Sequence, residues 1–216
     1  MKKFLVYLSL IYMTLFISCQ KQEILSCDPE INEWAINNLS YYENALRDEI
    51  VTLPFPKQLA IYVGLSGEKK VSLWKDKFDI VASEDMLTKN QLIHYKKFID
   101  FIEPKHFETS QGKVEFDEFA SAWEEEMKTI YSCNDETLFL IAYTWMSKEE
   151  FNLSVAEYLT KSDIQTGPNN PVVCNCIYSL YCMTSIEGGT CQKGGCKQVD
   201  QGCGLMGNSS CNGRCE

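Results

Sequence analysis

The sequence predicts an all-α N-terminal domain, a multi-helix bundle, followed by a small disulfide-rich C-terminal module. Apolar residues recur at helical spacing through residues 28–160, and no stretch there shows the sustained alternation of a strand. All 4 Trp and all 11 Phe lie before residue 161, whereas eight of the 11 Cys and eight of the 12 Gly lie after residue 173. This abrupt change of composition predicts a domain boundary.

The N-terminus predicts export. Lys2 and Lys3 precede an apolar stretch, residues 4–17, which is too short to cross a bilayer core of about 30 Å. Residues 1–18 are therefore predicted to be a signal peptide. Ser18-Cys19 resembles the end of a bacterial lipobox, which implies that Cys19 is lipidated and that residues 19–27 form a lipidated tether. The expected location is the cell envelope, lipid-anchored and periplasmic or surface-exposed, with plain secretion as the alternative if the lipobox fails.

The charge balance excludes one class of partner. The formal net charge is −10, and removal of Lys2 and Lys3 with the signal peptide makes it −12 (18 basic against 30 acidic residues). Nucleic-acid binding needs a basic surface, so no nucleic-acid partner is expected. The expected partner is instead a membrane, reached through the N-terminal lipid.

Capping residues and proline breaks delimit the first helices. Asp28-Pro29 predicts the start of the first helix, with Asp28 as N-cap, and its apolar face is predicted to continue to Leu46. The prolines at 54 and 56 separate it from a second helix over residues 57–65. Ser66 is predicted to cap a third helix, whose apolar face comprises Val71, Trp74, Phe78 and Val81.

The later helices follow from the same signals. Thr88 and Gln91 form a capping box before an apolar face that ends near Pro104. Residues 116–130 carry the next apolar face, with Glu124-Glu125-Glu126 expected in solvent. The run 137–145 is almost wholly apolar and predicts a central buried helix. A second capping box, residues 147–150, opens the last predicted helix.

The tail is too small to fold on a hydrophobic core alone. Residues 161–173 are predicted to be a linker and residues 174–216 a module, and so short a segment usually needs covalent staples. An oxidising compartment favours disulfides, and the spacing does not give their connectivity. Thiolate metal binding is the alternative, but no repeated Cys-x2-Cys pair occurs, so no metal or cofactor is expected. The eight cysteines are Cys174, Cys176, Cys182, Cys191, Cys196, Cys203, Cys211 and Cys215.

The tail's cysteine pattern resembles a known type of peptide. Cys174-x-Cys176, Gly-Gly-Thr-Cys191, Gly-Cys203-Gly and Cys211-Asn-Gly-x-Cys215 resemble the cysteine-rich region of fulvocin C, a small disulfide-bonded bacteriocin. The whole chain is similar to fulvocin C-related bacteriocin-like proteins, through Leu-Ser-x-Glu-Lys-Lys at 65–70 as well. The resemblance implies a four-disulfide module of antibacterial type.

One apolar run in the tail could make a contact. Residues 177–183 are the most apolar part of the tail, and if exposed they would meet a target-cell membrane or a receptor. The alternative is that they form the small core of the module. The candidate contact residues are Ile177, Tyr178, Leu180, Tyr181 and Met183.

No catalytic residue is expected. His94 and His106 are too far apart in sequence for a zinc-protease motif and are predicted to lie at the surface or boundary. The function expected is therefore that of a non-enzymatic exported lipoprotein that presents a bacteriocin-like module. The alternative is a surface binding or adhesion module whose tail recognises a glycan or protein.

The odd number of cysteines can be partitioned. Lipidation would use Cys19, and the eight in the tail can pair with one another. Cys27 and Cys133 remain, and we predict that they bridge, with two free thiols as the alternative.

Overall fold

The computed structural model describes residues 24–26, 28–145, 147, 150, 191–193, 199–203, 205–211 and 213–215. Residues 28–145 are helical, as predicted, with short connections. The helices described there are α1 (Pro29–Tyr42), α2 (Arg47–Val51), α3 (Phe55–Gly64), α4 (Gly67–Ser83), α5 (Lys89–Phe101), α6 (Lys105–Glu108), α7 (Ser110–Thr129) and α8 (Asp135–Ala142).

The predicted caps are confirmed. The Asp28 carboxylate accepts from the backbone amides of Glu30 at 2.8 Å and Ile31 at 3.1 Å, with Pro29 in the first turn. The Ser66 side chain caps α4. Thr88 and Gln91 form the reciprocal capping box at the start of α5.

The first predicted helix is two helices in the structure. α1 ends at Tyr42, and α2 begins after Leu46, whose backbone amide donates to the Glu49 carboxylate at 2.9 Å. The placement of Leu46 on a buried face was wrong, because the new helix start leaves its side chain 72% exposed. Local capping thus overrides the helical periodicity at this point.

The core is built around α8. Its residues 138–142 are all buried, which confirms the predicted central helix, although α8 ends at Ala142 rather than at Trp145. Trp74, Trp123 and Trp145 are buried in the same core. The Tyr95 hydroxyl donates to the carbonyl of Ile141 at 3.0 Å, which ties α5 to α8.

The described part of the tail consists of short antiparallel strands. β1 (Cys191–Lys193) pairs with β4 (Gly213–Cys215), and β2 (Val199–Cys203) pairs with β3 (Ser209–Cys211). A 3-10 turn, Leu205–Gly207, joins β2 to β3. Among the described residues, no helix is long and apolar enough to cross a membrane.

Candidate functional site

Most of the predicted site residues lie outside the described residues. These are Cys19, Cys27, Cys174, Cys176, Cys182, Cys196 and the candidate contact residues Ile177, Tyr178, Leu180, Tyr181 and Met183. Cys133 is described and is buried, whereas Cys27 is outside the described residues. Its predicted bridge to Cys27 stays a prediction. The other predicted disulfide residues, Cys191, Cys203, Cys211 and Cys215, are placed by their backbone alone.

The strand register brings one pair of cysteines opposite each other. Cys191 on β1 is the direct partner of Cys215 on β4. Opposed residues of antiparallel strands have Cα atoms about 4.5 to 5.5 Å apart, inside the range of about 4.4 to 6.8 Å that disulfides span. Cys203 on β2 instead pairs with Ser209 on β3, and Cys211 on β3 pairs with Val199 on β2, across an irregular register.

The hairpin of β2 and β3 contacts the helical domain through five residues that we call the docking loop: Gln201, Leu205, Met206, Gly207 and Asn208. All five are buried, and Leu205 and Met206 belong to the same hydrophobic core as the helices. The segment predicted as a module of its own thus contributes side chains to the core of the helical domain.

An aromatic surface of the helical domain receives the turn. The Tyr62 hydroxyl, on α3, donates to the carbonyl of Met206 at 2.7 Å and accepts from Trp74 Nε1 at 3.0 Å. Burial raises the pKa of Tyr62, so its hydroxyl stays protonated and able to donate. Trp145 packs against Tyr62 with ring centroids 4.2 Å apart.

The backbone of the turn is shaped for this contact. Met206 and Gly207 both have left-handed backbones, with φ of 52° and 65°. A Cβ on Gly207 would lie 2.8 Å from Tyr62 Cε1, too close for any side chain to fit without movement. A left-handed methionine is unfavourable by about 1 to 2 kcal/mol, and the bond from Tyr62 to its carbonyl holds it in place.

Polar side chains connect the docking loop to three helices. The Lys70 ammonium, on α4, donates to Gln201 Oε1 at 2.5 Å and to the carbonyl of Val63 on α3 at 3.0 Å. The Gln201 amide donates to the carbonyl of Phe107 on α6. Asn208 Nδ2 donates to the carbonyl of His106 at 3.0 Å. Since these groups are buried, each bond compensates for the loss of water.

A second buried lysine, Lys77, supports the aromatic surface. Lys77 on α4 is fully buried, and its amine donates to the carbonyls of Leu140, at 2.7 Å, and Thr144. These carbonyls lie at the C-terminal end of α8, where a lysine can satisfy unpaired acceptors. Burial, and then the charge of Arg47, lower the pKa of Lys77 well below its usual range.

The prediction that both histidines lie near the surface was wrong. His94 is 3% exposed and stacks on Tyr131, with ring centroids 4.5 Å apart, while His106 is 1% exposed and stacks on Phe101 at 4.5 Å. Burial lowers the pKa of each imidazole. His106 Nδ1 accepts from the backbone amide of Glu103 at 3.0 Å, which positions the carbonyl that Asn208 contacts.

The acidic run of α7 lies in solvent, as expected. Glu125 and Glu126 are exposed, and half-buried Glu124 contacts Lys128 and the Tyr143 hydroxyl, each at 3.0 Å. Over the described ranges, no three His, Cys, Asp or Glu side chains are grouped so that they could hold a metal ion.

Sequence reasoning missed the residues of this docking site. Trp74 was assigned to the core, and it lies four residues after Lys70 and three before Lys77. At this spacing both lysines share the helix face of Trp74. That spacing was the available signal, because a lysine on an apolar face can bury its stem and donate to carbonyls. The arrangement can hold a peptide segment.

Comparison with protein families, with characterised proteins and with solved structures finds no match to the chain.

Proposed function

We propose that the chain is a non-enzymatic exported bacterial lipoprotein whose helical domain carries a fulvocin C-like, disulfide-stapled segment at the cell envelope, with an antibacterial role. The signal peptide and lipobox pattern support the location, and the cysteine pattern supports the nature of the segment. The observation that carries the proposal is the burial of the docking loop in the helical core.

The docking contacts give the helical domain its role. If that domain were only a spacer, the tail would need no specific contact with it. Instead the carbonyls of Met206, Phe107 and His106 each accept a hydrogen bond across the boundary between helices and tail. The helical domain therefore acts as a carrier that holds the cysteine-rich segment by its docking loop.

A second candidate is a surface binding or adhesion module whose tail recognises a glycan or protein. The same docking favours it, because a binder must remain attached to the cell that displays it. The two candidates differ in what the tail does to its target: an antibacterial segment harms neighbouring cells, whereas an adhesive segment only binds them.

The test combines mass and activity of the full chain purified from its native membrane. Intact mass should show loss of residues 1–18, lipid on Cys19 and the loss of one pair of hydrogens for each disulfide. The matched control is Cys19→Ala, which should abolish the lipid and release the protein from the membrane. An unlipidated wild-type protein with reduced tail cysteines would overturn the proposal.

The activity arm separates the two candidates. Membrane-tethered wild-type protein should reduce survival of neighbouring bacteria, and the reduced, alkylated protein should not. Binding to those cells without loss of survival would select the adhesion module. Neither binding nor killing would remove both candidates.

A further inference from the structure

We propose that the docking loop is an intramolecular ligand of the helical domain, so that the domain keeps the cysteine-rich segment bound after the chain is cut between them. This inference rests on the proposed function, in which the domain carries that segment, and adds how the segment is retained. It assigns a peptide-binding site to the face that includes Tyr62 and Lys70.

The hydrogen bonds that would retain the segment connect the two sides of the cut. They join residues 62–107 to residues 201–208, whereas the predicted linker covers residues 161–173. Cutting the linker breaks none of them. Retention after a cut therefore depends on the face that includes Tyr62 and Lys70.

The polar contacts make the helical domain selective for the sequence of the docking loop. Gln201 uses both ends of its amide, accepting from Lys70 and donating to the carbonyl of Phe107. Asn208 donates to the carbonyl of His106, and its oxygen lies 3.4 Å from Gln201 Nε2. Buried amides of this kind discriminate strongly, because a replacement leaves polar groups without partners.

The shape of the turn adds a second requirement. Met206 is fully buried, and Gly207 lies against the Tyr62 ring with no room for a side chain. A ligand for this face must therefore present a left-handed turn with glycine at its tip, flanked by a buried apolar side chain. The hairpin of β2 and β3 supplies that turn.

The experiment cuts the full chain and measures what stays together. A specific protease site replaces residues 167–170 in the exported, oxidised protein, and the cut protein is passed through size exclusion at about micromolar concentration. We expect the two pieces to co-elute. A denaturing gel without reductant must separate them, because pieces that stay linked there are held by a disulfide rather than by docking, which would overturn the proposal.

Two variants show that the loop is responsible. Asn208→Asp removes the donor to His106 and adds a buried charge, so the free tail fragment should increase about tenfold or more. Asn37→Asp is the matched control, since it adds the same charge at an exposed position on α1 and should leave retention unchanged. Gly207→Ala tests the shape requirement without adding charge and should also release the fragment.

Helical circular dichroism of each uncut variant verifies that the helical domain is folded. Dissociation of the cut wild-type pieces would overturn the inference, and so would retention by both loop variants. Neither result bears on lipidation or on activity against other cells, so the inference and the proposed function can fail separately.

Discussion

Replacing Tyr62 by Phe should destabilise the protein by about 2 to 6 kcal/mol. The change removes one oxygen and leaves two buried polar groups without their partner, the carbonyl of Met206 and the indole N–H of Trp74. Each unsatisfied buried group is unfavourable by about 1 to 3 kcal/mol, while the ring, and with it the apolar packing, is retained. Tyr41→Phe is the matched control, because Tyr41 is 58% exposed and its hydroxyl donates to the exposed Glu49 carboxylate.

The assay is urea unfolding followed by circular dichroism and tryptophan fluorescence. Tyr41→Phe should lie within about 0.5 kcal/mol of wild type, as surface changes usually do. Equal effects of the two substitutions would refute the reasoning. So would a Tyr62→Phe protein as stable as wild type, because the hydroxyl would then not be holding the docking loop against the core.

Three further outcomes are expected. Burial lowers the pKa of Lys77 in the folded protein, so at a pH between that pKa and the normal lysine pKa the unfolded chain binds one more proton than the folded chain. The free energy of unfolding should therefore rise with pH across this window, by up to about 1.4 kcal/mol per pH unit. Urea titrations at increasing pH, up to the normal lysine value of about 10.4, should show that Lys77→Met flattens this rise and that exposed Lys75→Met does not. Peptide mapping of the oxidised protein should find a Cys191–Cys215 disulfide, and either cysteine bonded elsewhere would contradict the strand register. Burial raises the pKa of Cys133 to about 11, so this thiol should react with maleimide only on unfolding; a thiol that stays unreactive then, without reductant, would indicate the bridge to Cys27.

The helices were predictable from the sequence because their signals are local. Asp28, Ser66 and Thr88 cap helices through atoms two or three residues away, and the sequence shows such spacing directly. His94 was misplaced because its neighbours Lys96 and Lys97 are polar. The better guide was helical spacing, because His94 lies three residues after Gln91 and four before Phe98, and both of these are buried.

The spacing of the lysines on α4 indicated a buried face, but the segment that covers that face was not predictable for a physical reason. Tyr62 and Met206 are separated by 144 positions, and Lys70 and Gln201 by 131. No periodicity or spacing relates such distant residues, and a buried lysine contradicts the usual preference of that side chain for water. Only the folded chain brings the groups together.

The large separation between Tyr62 and Met206 also has a consequence for the timing of folding. The docking loop begins at residue 201, after the helical domain in the sequence. A nascent polypeptide leaves the ribosome N-terminus first, so the aromatic surface around Tyr62 stays uncovered until the docking loop has been synthesised. Closing so long a loop is slow compared with helix formation. Docking is therefore a late step of folding, and a product truncated before residue 201 would present an open core to quality-control proteases.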